Sequence, residues 1–139
     1  MENYFYEDAK KEIVREALLT GKAKDWAKKF INPEQQRESG QRNPKLTSAQ
    51  LRRFHIEAKA LEERTKNVDD FSKIRPLIKM LKSKVAYACP TTGSERKVPI
   101  EFRRYIEEMV DNIADERDFK AFALCFEAVV GFFYGEGGR

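Results

Sequence analysis

Between Ala121 and Tyr134 the sequence offers a single charge, Glu127, among apolar residues that fall on every side of a helix: Phe122, Leu124, Phe126, Val129, Phe132 and Phe133. A helix apolar all round is buried all round. In a chain of 139 residues it is either the centre of a bundle or also a contact between subunits, and the residues leave both open. Gly131 within it costs up to ~1 kcal/mol relative to Ala, which reads as the close approach of another backbone. Elsewhere the apolar residues recur at helical spacing, and strand-like alternation is absent. The expected fold is all-α, a compact bundle of five to six helices. One domain over residues 1–139 is expected, with a flexible loop at about 32–44.

The expected elements follow from caps and spacing. A first helix is predicted from about Phe5 to Leu19, with Ala9, Ile13 and Ala17 on its core side and Gly21 just beyond. A second runs from about Lys22 to Ile31 and carries Trp26 and Phe30. Residues 32–44, polar and interrupted by Pro33 and Pro44, bury too little to order themselves. Thr47-Ser48-Ala49-Gln50 is a capping box, stapled by Leu46 and Leu51. It opens a helix with the stripe Leu51, Phe54, Ala58 and Leu61. After a turn at 71–74, Pro76 suits the first turn of a helix from about Arg75 to Ala88, with Leu77, Ile78, Leu81, Val85 and Ala88 facing the core. Cys89 to Val98 is a second loop. Pro99 starts a helix with Phe102, Ile106, Met109 and Ile113 inward, and the last helix runs from about Phe119 to Tyr134.

Composition excludes several classes. With 41% hydrophobic residues and ten Phe, full disorder and fibrous repeats are ruled out. No apolar run approaches the roughly 18 residues of a spanning helix, and the opening residues carry no signal-peptide pattern. Two cysteines, Cys89 and Cys125, fit a reducing compartment, so the cytoplasm is the expected location.

Catalytic signals are poor. His55 is the only histidine, without a Ser or Cys nucleophile beside it, and reads as a helix-surface or boundary residue. Cys89, Cys125 and His55 have no metal-ligand spacing. The pairs Glu62-Glu63 and Glu107-Glu108 read as solvated faces. The glycines after Tyr134 precede no helix whose N-terminus would hold a phosphate. No catalytic residue, metal or cofactor is expected.

Charge is distributed more tellingly. Residues 1–41 are balanced, residues 42–104 carry +9 and residues 105–139 carry −5. A basic middle suggests a polyanion-facing surface. Arg75, Lys79 and Lys82 fall at i, i+4 and i+7 without an acidic partner at helical spacing, and nucleic-acid phosphates would relieve their repulsion. Lys45, Arg52, Arg53 and Lys59 decorate the preceding helix and its cap. Arg96, Lys97, Arg103 and Arg104 form a third cluster. Tyr87 is placed as a partly buried core tyrosine, with base stacking as the alternative. No helix-turn-helix, zinc-finger or aromatic sheet signature is present, so backbone-following binding without sequence reading is expected.

Three blocks also resemble a known family. Lys45-Leu46-Thr47-Ser48-Ala49-Gln50-Leu51-Arg52-Arg53-Phe54 is similar to the L-T-x-x-Q-(I/L)-R-(K/R)-F helix start of the small subunit of type III-A CRISPR interference complexes, the Csm small subunit. Residues 74–88 (IRPLIKMLKSKVAYA) resemble its second signature, and residues 126–134 with Gly137-Gly138 its terminal helix. The likeness covers about residues 45–138; the first 44 residues match only in helical character. It implies a non-catalytic, all-helical subunit stacked in several copies along the complex, enclosing the duplex of guide RNA and target RNA. It implies as partners the large and backbone subunits, where the catalytic activities lie, and other copies of itself. It also makes Lys45, Arg52, Arg53, Arg75, Lys79, Lys82 and Lys84 candidate contacts to the RNA backbone. Arg52 or Arg53 has the alternative of pairing with a buried carboxylate, and Lys84 lies nearer the core stripe. Cys89-Pro90-Thr91 departs from the family's short basic turn, where Arg96 and Lys97 are the available replacements. A helical protein–protein adaptor without RNA affinity is the competing reading, and an enzyme the more distant one.

Overall fold

The computed structural model describes residues 3–35, 42–92 and 95–139. The centre of the expected 32–44 loop and the middle of the Cys89–Val98 loop lie outside the described residues. Among the described residues six α-helices follow in order: α1 (Glu16–Leu19), α2 (Gly21–Ile31), α3 (Ser48–Thr65), α4 (Arg75–Ala88), α5 (Ile100–Asp111) and α6 (Glu116–Gly135). A 3-10 turn at Phe71–Lys73 leads into α4. The fold is all-α, and among the described residues the only β-type pairing is an isolated bridge between Tyr6 and Val14.

Local chemistry sets most boundaries. Thr47 Oγ1 accepts the Gln50 amide at 3.2 Å while Gln50 Oε1 accepts the Thr47 amide at 2.9 Å, closing the capping box of α3. Leu46 and Leu51 are both buried beneath it. Asp70 caps the 3-10 turn through the Ser72 amide, and Pro76 occupies the first turn of α4, where no amide donor is needed. Pro99 stands at the N-cap of α5, one position ahead of its expected place inside the helix.

The expected first helix is corrected. Only Glu16–Leu19 is helical, and residues 3–15 turn back on themselves. The Asp8 carboxylate accepts the Glu12 amide at 3.0 Å and the Ile13 amide at 2.9 Å. That competes with the carbonyl partners a helix would supply. Lys11 has a φ of 58°, a left-handed conformation that ends any right-handed helix. Ile13, expected in the core, is exposed, while Phe5 and Tyr6 are buried. The segment is fastened to the C-terminal half: Tyr4 donates to Glu108 at 2.5 Å, and the Tyr6 hydroxyl donates to the Arg117 carbonyl. Lys11 Nζ lies 2.6 Å from Asp115 and 3.0 Å from Asp118. Asp115 is also the N-cap of α6.

Helix α6 packs against α1, α2 and α3, and α5 against α2 and α4. Rings from four helices meet at the centre: Phe30 and Phe102 at 5.2 Å, Phe54 and Phe102 at 5.1 Å, Tyr105 and Phe126 at 5.9 Å. Each fully buried Phe contributes roughly 2–3 kcal/mol. The expectation that α6 is enclosed on all sides is corrected as well. Phe122, Cys125, Phe126, Val129 and Phe133 are buried, but Leu124 and Tyr134 are exposed and Gly131 faces outward. A Cβ added at Gly131 would meet nothing within 4 Å, so among the described residues no backbone outside α6 approaches it.

Asn43 is 1% exposed and joins residues 34–35 to α5. Its backbone amide and carbonyl bond the Gln35 side chain, and its own side chain reaches Glu34, Glu101 and Ile100.

Candidate nucleic-acid interface

Helix α4 follows α3 after residues 66–74, and an ion pair between Lys84 and Glu57 bridges the two helices. The basic residues of this hairpin divide into two sets. Lys45, Arg52, Arg53 and Arg75 are exposed and bond no carboxylate or carbonyl among the described residues. Arg52 and Arg53 therefore do not pair with a buried carboxylate there.

Lys79, Lys82 and Lys84 are engaged within the chain. Lys79 Nζ donates to the Val110 carbonyl at 2.9 Å, and Lys82 Nζ pairs with Asp111 at 2.5 Å. Both ammonium groups sit at the C-terminal end of α5, where the last carbonyls and the helix dipole favour cations. The partner missing at helical spacing on α4 is thus supplied by the neighbouring helix. Burial, and then the nearby Arg75, pull the Lys79 pKa below its usual value. The hydrogen bond to Asp111 raises that of Lys82.

The loop cluster divides in the same way. Arg96 is buried and donates through Nε to the Pro90 carbonyl at 3.1 Å. Arg103 Nη1 donates to the Cys89 carbonyl at 2.8 Å. Both serve the C-terminal end of α4. Lys97 and Arg104 stay exposed. On α3, Lys59 lies 3.8 Å from Glu127 of α6.

Tyr87 is the residue that spacing misplaced. It is 81% exposed, more than any other large hydrophobic side chain described, and Lys97 Nζ sits 5.6 Å from its ring centroid. Ile56 at 60% and Met80 at 50% are exposed on the same two helices.

The candidate reactive groups are inward or constrained. Cys89 and Cys125 are both buried, and burial pushes the Cys125 thiol up to about 11. His55 stacks edge-on against Phe126 at 5.4 Å, and burial, then Lys59, lowers its pKa. Among the described residues no helix is long and apolar enough to cross a membrane.

A family model described as Csm2 Type III-A matches residues 16–138 of this chain. The match begins at the first residue of α1 and takes in α2, beyond the blocks legible in the sequence. The folded-back segment at residues 3–15 lies outside it. Comparison with curated proteins and with solved structures gives no match.

Proposed function

Because the chain belongs to the type III-A Csm2 family, the small subunit of the Csm CRISPR complex, we propose that it is a non-catalytic scaffold subunit, stacked in several copies along the duplex of guide RNA and target RNA. The observation that carries the RNA contact is the exposed set Lys45, Arg52, Arg53 and Arg75, whose charges have no partner among the described residues. Phosphates spaced along an RNA backbone neutralise such a set without reading sequence, and guide pairing does the reading. Lys79, Lys82 and Lys84 contact RNA in this scheme only where a phosphate shares or replaces their present partners. The large subunit, the backbone subunits and further copies of the chain are the protein partners. The outward strip of α6, with Leu124, Gly131 and Tyr134, suits contact between copies. The same exposed apolar residues, with Ile56 and Met80, support the competing adaptor reading, in which the basic face meets acidic protein instead.

The test reverses three exposed charges together, Arg52→Glu, Arg53→Glu and Arg75→Glu. The expected outcome is loss of guide RNA from the purified complex with helicity unchanged. The salt dependence of RNA binding falls by about one unit of slope per contact removed. RNA retention at the unaltered level would discard the basic face and favour the adaptor.

A further inference from the structure

Tyr87 remains unexplained by contacts to an RNA backbone, since a phenol ring neutralises no phosphate. It stands on the last turn of α4 with its ring in solvent, and its hydroxyl bonds none of the described residues. Its surroundings are nonetheless fixed. The Lys97 amide donates to the Ala88 carbonyl at 2.8 Å, and the Lys97 carbonyl accepts Gln50 Nε2 at 2.6 Å. The loop that carries the ammonium group over the ring is therefore pinned to the end of α4 and the start of α3. Lys84, three residues before Tyr87, lies on the same side of α4 but is paired with Glu57. On α3, Arg53 lies three residues after Gln50 and four before Glu57, on the strip that faces this end of the hairpin.

An exposed aromatic ring with one cation held against it and another on the neighbouring helix is a combination that binds an unstacked nucleobase: the ring takes the base and the cations take its phosphates. A paired A-form helix offers no base face to a side chain, whereas an unpaired or splayed nucleotide does. We infer that Tyr87, with Lys97 on one side of its ring, is a stacking seat for an unpaired RNA nucleobase, so that this subunit distinguishes an interrupted duplex from a continuous one. The inference rests on the RNA-contacting function proposed above and adds a contact to which phosphates alone are blind.

The test uses the full-length chain and three RNAs of common sequence: a continuous duplex, the same duplex with one unpaired 2-aminopurine nucleotide, and a single strand. The interrupted duplex is expected to bind more tightly than the continuous one, with quenching of the 2-aminopurine fluorescence. Tyr87→Ala is expected to lower affinity for the interrupted duplex about 5- to 150-fold, to leave the continuous duplex unaffected and to abolish the quenching. Tyr87→Trp is expected to retain the preference. Because the side chain is exposed, circular dichroism should match the parent for both variants. Equal affinity for the two duplexes, or an equal loss for both on Tyr87→Ala, overturns the stacking seat while leaving the basic face standing. Failure of all three RNAs to bind at low salt overturns both. If Tyr87→Ala instead releases another subunit of the complex with RNA binding intact, the ring is a protein contact and the seat is refuted.

Discussion

At Asn43 the side-chain amide donates to the Glu34 carbonyl and to Glu101 Oε1, both at 2.8 Å, and its oxygen takes the Ile100 amide, also at 2.8 Å. Ile100 is the first residue of α5, and its N–H has no partner within the helix. Asn43→Ala leaves that donor buried and unpaired, so stability is expected to fall by about 2 kcal/mol, measured as a lower urea midpoint at unchanged slope. Asn43→Asp, which keeps the acceptor but sets a carboxylate against Glu101, should cost at least as much. The sequence presents Asn43-Pro44 only as a breaker, because its partner at Ile100 is 57 residues away and no local pattern announces it. Tyr87 escaped for a related reason. Helical spacing fixes which α4 residues face inward, but the exposure of its final turn depends on the path of the loop after Cys89.

The α4–α5 junction shows two elements completing one another. Lys79 lies partly beneath the end of α5 and serves the Val110 carbonyl. Lys79→Met keeps the apolar stem and removes the donor, and about 1 kcal/mol of stability should be lost. Arg75→Met on the exposed side should change stability by less than about 0.5 kcal/mol. Equal effects in thermal unfolding would refute the division of this face into structural and free cations. Elements whose ends are determined locally were the readable ones. The Thr47–Gln50 box and Pro76 marked the starts of α3 and α4, and the stripes Leu51-Phe54-Ala58-Leu61 and Ile78-Leu81-Val85 are buried as expected. The segment from Phe5 to Arg15 was misread because helical spacing of apolar residues is silent about Asp8, whose carboxylate captures two amides and diverts the chain. The apolar sides of α6 were legible as such, but the bundle has helices enough to cover only part of them. Of the site, the abundance of cations was readable. Their division was not, since Lys79 and Lys82 find partners on another helix.

Across the whole molecule, acidification is expected to act in two stages. Burial, then Lys59, holds His55 below its ordinary pKa, with Glu62 and Glu127 acting in the opposite sense. The unfolded chain therefore takes up the proton first, and stability present above the unfolded value near 6.5 declines as pH falls below it. For Asp115, burial raises the pKa, but the hydrogen bond and charge of Lys11 together with the backbone amides of Asp118 and Arg117 outweigh it and keep the carboxyl below its usual range. That contribution is present above the unfolded value near 3.8 and is lost as pH falls through the folded one. Melting temperatures measured from pH 8 to 3 should show both declines, and His55→Gln should flatten the first while leaving the second. A first decline that persists in His55→Gln would show that other groups cause it. The ties from Tyr4 to Glu108 and from Lys11 to Asp115 each span 104 residues, and this separation reaches beyond stability. On the ribosome the segment at residues 3–15 emerges before α1 to α6, yet Glu108 and Asp115, which hold it, follow 104 residues behind their partners. The segment therefore waits for its fastenings, and nascent chains halted before Asp115 is translated should remain open to protease at residues 3–15.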